Sequence, residues 1–397
     1  MLFLLFGLLL LDIILIKRNT VFAPWSITLL VWTVELFMYV TVDHGLDSTV
    51  GWFELALFLW ITSFVSSSYF VASNLPIKNG IVPVKTEYNN KIFKWMFIIA
   101  ILLVPITVYK TYSYAMANGP TDNVFFNLRY TATQDEEYDA GIFKYVSYIA
   151  IVALYAECNS AKINKIKLCI LYILSGLLAF STMAKTTLFV SLIGSFLILI
   201  WNRKVKTRIL GVLMVLFLGL TVIFSGLRSS SGDTENVDAA KILSVYTLSP
   251  IVAFDKEADN THNHNLGGEK TFRFFYQVAN KLGVNVDVDN TVQPFINVPY
   301  STNVYTIFYQ YYKDFGFLGI FIFGLINGFI YSFIYSKINI KPAFRIMYAY
   351  CAVTLILQFF NEIFWVTFSI VIQVWVLSLL VYYNHERVKS SNNMRLV

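Results

Sequence analysis

Charge is scarce in this chain. Of its 397 residues only 14% are Asp, Glu, Lys or Arg, while 57% are hydrophobic. A water-soluble domain carries about 25% charged residues on average, so a soluble globular protein is excluded. Cysteine is scarcer still: Cys158, Cys169 and Cys351 all lie in or beside apolar runs, which argues against a disulfide framework and a zinc site. There is no Walker motif, no G-x-G-x-x-G opening a helix, no H-E-x-x-H and no G-x-S-x-G, so no nucleotide or hydrolase signature is visible. An enzyme built this way works on a substrate already activated and already held in the membrane. The net charge of +6 is no sign of nucleic-acid binding, because it collects in short loops. Internal repeats and low-complexity tracts are absent. The N-terminal run lacks both a basic flank and a small-residue cleavage site, so it reads as a first span and not as a cleaved signal.

What is present is a succession of apolar runs of the length that crosses a bilayer as a helix. They fall near 2–16, 24–41, 51–72, 93–110, 142–158, 166–181, 185–201, 208–225, 314–335, 342–360 and 363–383. The expectation is an all-α polytopic membrane protein of about eleven spans, since lipid offers no partner to an open backbone. Lys and Arg gather in alternate short loops: Lys17 and Arg18; Lys78, Lys85 and Lys91; Lys162, Lys165 and Lys167; Arg203, Lys204, Lys206 and Arg208; Lys337, Lys341 and Arg345; and Arg387, Lys389 and Arg395. That side is cytoplasmic by the positive-inside rule, with the N-terminus outside and the C-terminus inside. The chain then divides into a bundle at 1–225, an outer loop at 226–302 and C-terminal helices with a tail at 303–397.

The longest polar interval, Ser225 to Tyr312, falls on the outer side. Within it, Lys241–Phe254 has an apolar face suited to the interface. Thr271–Leu282 reads as a short amphipathic helix with Phe272, Phe275 and Ala279 on one side. Asp259–Lys270 is a turn-rich link, and Ser301 or Thr302 is placed to cap a helix from Asn303.

Several side chains in and near this interval are candidates for chemistry. Lys185 opens the seventh span from outside and Arg228 closes the eighth. Roughly 16 residues descend and a similar number return at about 1.5 Å each, so the two cations reach the same height. One reading is snorkelling to water; the other is a site for a lipid-linked diphosphate, to which Arg129 and Arg273 add charge. Arg129 sits beside acids that offer a local ion pair, and Arg273 a headgroup contact. His262 and His264 read as a solvated loop, as a general base or as part of a metal site lacking further ligands. Asp255, Glu257 and Asp259 compete for the base. Tyr305, Tyr309 and Tyr312 share a helical face at i, i+4 and i+7, as an interfacial belt or as a platform for sugar rings. Asp314 reads as an N-cap. Glu35 is an isolated acid inside a span.

The segments F-S-G-L-R-S-S-S-G-D at 224–233, V-Y-T-L-S-P-I-V-A-F at 245–254 and N-V-Y-T-I-F-Y-Q-Y-Y-K-D-F-G-F-L-G at 303–319, with the span pattern and the large outer loop, resemble bacterial O-antigen or oligosaccharide repeat-unit polymerases of the Wzy type. The resemblance implies a GT-C-like inner-membrane glycosyltransferase, free of metal and cofactor. It would join undecaprenyl-diphosphate-linked repeat units at the periplasmic face and release undecaprenyl diphosphate. It implies Arg228 as the diphosphate-side cation. Lys185, in S-T-M-A-K-T-T, supplies charge without fork geometry. The histidine that related ligases carry in the large loop has its counterpart in His262 or His264. Implied partners are the lipid-linked donor and acceptor, the bilayer, a chain-length regulator of the Wzz type and a flippase of the Wzx type. An O-antigen ligase or a lipid-linked oligosaccharide transporter is the alternative.

Overall fold

Three asparagines fix where helices begin. Asn89, Asn123 and Asn164 each accept from the two amides that open the following helix, satisfying donors that the helix itself cannot. A computed structural model describes residues 1–383 apart from 18–19, 76–80, 82–86, 136, 207, 229–243, 245, 262–263, 265 and 290–291. The fold is 72% helical. Its elements are α1 (Leu2–Leu15), α2 (Pro24–Thr41), α3 (Trp52–Asn74), α4 (Asn90–Asn118), α5 (Val124–Thr133), α6 (Val146–Asn159, after a 3-10 turn at Gly141–Tyr145), α7 (Lys165–Ser181), α8 (Lys185–Trp201), α9 (Ile209–Arg228), α10 (Ser249–Asn260), α11 (Arg273–Lys281), strands β1 (Ile296–Asn297) and β2 (Ser301–Thr302), α12 (Phe308–Ser336), α13 (Pro342–Ile356, continued as a 3-10 turn Leu357–Phe359) and α14 (Phe368–Val381). Every apolar run in the sequence coincides with a helix. Among the described residues six helical stretches are long and apolar enough to cross a membrane; α1, α8 and α14 are apolar but shorter.

The chain folds as two units, each stitched from separated stretches. The first comprises 1–80, 238–337 and 354–369. Its centre is the pairing of α3 with α12. Gly324 and Gly328, one turn apart on α12, lie against Ser63 and the Phe64 backbone so closely that a Cβ at either would collide. Small residues at such a seam let two backbones approach where lipid supplies no hydrophobic drive. Ser67 Oγ donates to the Leu325 carbonyl at 2.7 Å, and Ser68 bonds Ser332. Around the seam Trp32 stacks on Phe308 at 5.2 Å and Tyr311 on Phe323 at 4.5 Å. Asp255 on α10 caps α3 from a distance: its carboxylate accepts from Phe53 N at 2.8 Å, Gly51 N at 3.2 Å and Val50 N at 2.5 Å.

The second unit comprises 81–237, 338–353 and 370–397. Ala100, Val104, Val146, Ala150, Leu174 and Leu178 form a core among α4, α6 and α7. Among the described residues of this unit, two charged side chains are buried. Arg345, expected in a solvated loop, is fully buried and donates to Asn202 Oδ1 at 2.7 Å. Glu157 ends α6 fully buried, accepting from Tyr88 Oη at 2.9 Å and Asn164 N at 2.6 Å.

Several expectations need correction. The helix does not start at Asn303: Ser301 and Thr302 pair antiparallel with Ile296 and Asn297, and α12 begins at Phe308. Asp314 therefore lies past the first turn of α12 and is no N-cap; its carboxylate accepts from Thr271 N at 2.7 Å and Lys270 N at 3.3 Å. Of Lys241–Phe254, read as lying along the interface, the part in α10 is instead buried in the first unit, at Ile251, Val252, Ala253 and Phe254, while 241–243 and 245 lie outside the described residues. α4 runs on to Asn118, past the apolar run at 93–110, and the stretch after it carries a helix of its own, α5.

Candidate functional site

The tyrosine trio shows how far local spacing can mislead. Tyr305 precedes α12, so the three do not share one helical face. All three are buried in the first unit. Neither a belt in contact with lipid nor an open platform describes them. Tyr305 stacks on Tyr309 at 4.1 Å and donates to the Pro294 carbonyl at 3.1 Å; burial raises its hydroxyl above the ordinary range. Tyr312 Oη contacts the Ala258 and Thr261 carbonyls at 3.0 and 3.1 Å. The trio therefore moors Pro294 and the end of α10 to the start of α12.

Beside it, α12 is broken. Gly316 takes φ +65° and ψ −158° in the middle of the element, a conformation that glycine adopts without steric cost. His264 fills the space a side chain would occupy there: a Cβ on Gly316 would stand 3.0 Å from His264 Nε2. The imidazole meets Tyr312 edge-on at 5.0 Å, and its Nδ1 is buried without a partner. His262 lies outside the described residues. The three acids that competed for the role of base are engaged elsewhere. Asp255 caps α3, Glu257 pairs with Lys313 at 2.8 Å, and Asp259 accepts from Trp52 Nε1 at 3.1 Å. Arg273 opens α11 and turns onto its own loop, its Nε donating to the Asp289 carbonyl at 2.6 Å and its Nη atoms meeting the Gln277 side-chain oxygen. Burial lowers its pKa, with the Asp289 charge acting the other way.

The second unit holds the remaining cations. A tight turn, with Met183 N on the Phe180 carbonyl at 3.1 Å and Ala184 N on the Ala179 carbonyl at 3.0 Å, delivers Lys185 as the first residue of α8. α9 ends at Arg228, whose side chain lies outside the described set. α5 carries Arg129. The middle of α5, the start of α8 and the end of α9 meet around one apolar cluster: Leu128 beside Arg129, Met183 just before Lys185 and Phe224 in the last turn of α9, joined by Ala115 and flanked by Leu188 and Leu227. Asn123 locks the junction. While capping α5 with its oxygen, it donates from Nδ2 to the Leu227 carbonyl at 3.1 Å. Arg129 and Lys185 are half-buried.

Electrostatics make the placement of Lys185 notable. The first turn of a helix carries partial positive charge, so a cation there is disfavoured and an anion is favoured. Lys185 is thus no device for stabilising α8, whereas an anion held at that end would complement both the lysine and the helix. Asn123 was missed in the sequence; its signal was an asparagine directly before V-F-F-N-L-R. Among the described residues no three His, Cys, Asp or Glu side chains gather to hold a metal ion.

Compared with protein-family models, curated proteins and solved structures, the chain matches none. The site is therefore read from its own residues.

Proposed function

We propose that this protein is a membrane glycosyltransferase of the repeat-unit polymerase kind, transferring glycan between undecaprenyl-diphosphate-linked oligosaccharides at the outer face of a bacterial inner membrane. The observation that supports the reading is the convergence of α5, which bears Arg129, with the start of α8 at Lys185 and the end of α9 at Arg228 around one apolar cluster. A lipid diphosphate needs that combination: cations for the phosphates and an apolar floor for the first isoprene units. When the glycosidic bond to the diphosphate breaks, negative charge grows on the leaving oxygens, and cations already in place lower that barrier. Because the leaving group is good, the acceptor hydroxyl needs orientation more than a strong base. In the first unit taken by itself, His264 is the described side chain able to take a proton, since its buried Nδ1 has no partner while the acids near it are committed to other contacts. A ligase with the same leaving group and a different acceptor is the second reading, favoured by the same convergence.

The test is genetic and chemical. In a strain lacking the gene, Arg228→Ala is expected to leave surface glycan one repeat unit long, read as a single rung on a polysaccharide gel. Lys185→Ala is expected to shorten or thin the ladder, with partial recovery in Lys185→Arg. Full-length chains in the Arg228→Ala strain overturn the assignment, and loss of all surface glycan points to ligation or transport.

A further inference from the structure

The ten residues Arg273–Leu282 separate by chemistry around the helix axis. At 100° per residue, Phe274, Val278, Leu282, Phe275 and Ala279 occupy one continuous arc, and Tyr276, Asn280, Arg273, Gln277 and Lys281 the other. In a helix that packs on a soluble core, the apolar arc is covered. Here it is open: Phe275 is 49% exposed, Val278 39% and Leu282, just past the last helical residue, 79%. No residue of α11 is buried. The open surface extends beyond the helix to Leu266, 78% exposed, in the loop that leads into it.

One edge of the arc is anchored. Phe274 and Phe275 meet Phe368 at 5.8 and 5.9 Å, and Phe272, just before the helix, meets Trp365 at 6.1 Å and Phe323 at 5.7 Å. Phe368 is the first residue of the apolar helix α14. The rings that pin α11 thus lie at the rim of an apolar helix, and the uncovered part of the arc continues that rim. The polar arc has contacts of its own, through the Arg273 bond to the Asp289 carbonyl and that of Tyr276 Oη to the Gly267 carbonyl at 2.7 Å.

We propose that α11 is seated in the membrane, with Phe275, Val278 and Leu282 in the headgroup–acyl boundary beside Phe368 and Lys281 and Asn280 toward water. The occupant of this face is lipid. A short helix with a fully segregated apolar arc, a cation on the opposite side and an edge continuous with the start of an apolar helix has the form of an interfacial helix. Its seating would fix the outer segment at a set depth and so hold the loop with His264 against α12. The proposal concerns bilayer contact alone and does not require the glycosyl-transfer reading.

The test uses the full chain. With Cys169→Ser removing the exposed thiol, and Cys158 and Cys351 buried, Leu282→Cys carries a nitrobenzoxadiazole label into vesicles of phosphatidylethanolamine and phosphatidylglycerol. Val278→Cys, one turn earlier on the same arc, is a second probe, and Asn280→Cys reports the polar arc. The expected result is blue-shifted emission at 282 and 278, with nitroxide-bearing lipids removing about half of it or more while iodide has little effect, and the reverse at 280. Iodide quenching at 282 and 278 equal to that at 280 would put the arc in water and overturn the proposal. Shielding of 282 and 278 from both quenchers would assign the face to a protein partner or a second copy, which also overturns it.

Discussion

At Gly316 two constraints coincide. Its φ of +65° penalises any side chain, and the space where a Cβ would go belongs to His264. Gly316→Ala is therefore expected to cost about 1–3 kcal/mol and to displace the imidazole, so that thermal stability in detergent and transfer activity both fall. His264→Ala in the same background should recover part of the stability and none of the activity. Glu362 offers a pH test. It is fully buried in the turn between α13 and α14, where Trp365 N and Val366 N donate to it at 3.0 and 2.9 Å. Burial, the largest influence, pushes its carboxyl up from 4.5 to about 7, with the amide hydrogen bonds opposing. A raised acid gives stability at low pH, because the unfolded chain ionises first. Folding stability should therefore decline as pH climbs from 4.5 to about 7 and level off above it. Melting curves across that window should show the slope in the native protein and a flatter one in Glu362→Gln. Neither residue stood out in the sequence. Gly316 is one glycine in an aromatic run, and Glu362 falls in the short gap between the apolar runs 342–360 and 363–383; only their neighbours reveal what they hold.

Among the elements, helices were legible and their junctions were not. Each expected apolar run contains a helix here, and among the described residues six helical stretches are long and apolar enough to cross a membrane. The amphipathic segment at Thr271–Leu282 was equally readable, because its periodicity is local. What escaped was set by partners far along the chain. The first residues of α12 could not be placed, because the pairing of β1 with β2 fixes the segment before it. Asp314 looked like a cap because it precedes an apolar stretch, but its partners are the Lys270 and Thr271 amides. Arg345 looked like a loop cation until Asn202 and the Ile338 carbonyl enclosed it. The α3–α12 seam gives the sharpest prediction at this scale. Gly328→Leu forces a branched side chain into the Phe64 backbone and should cost about 1–3 kcal/mol through overpacking. It would be measured as a drop in the temperature at which the detergent-solubilised protein aggregates. A comparable change at Gly219 on α9, where no atom lies within 4 Å of an added Cβ, should have far less effect.

For the whole molecule, the helical character could be anticipated from the apolar runs, but the grouping of the helices into units could not. The two units interleave along the chain, and no shift in composition marks where one stretch passes to the next. The cluster that joins α5 to the start of α8 and the end of α9 was half visible. The α8–α9 hairpin followed from span lengths, whereas the arrival of α5 depends on Asn123 reaching the end of α9.

The stitching has a consequence for how the protein is made. Ser67 and the Leu325 carbonyl it bonds are 258 positions apart, so α1, α2 and α3 leave the ribosome long before the helix that closes over them has been translated. Through that interval the serine-lined side of α3 is without its permanent cover. Biogenesis is then paced by the translation of the middle of the chain, and slow codons there would prolong the stage at which a half-built transmembrane assembly is open to membrane proteases.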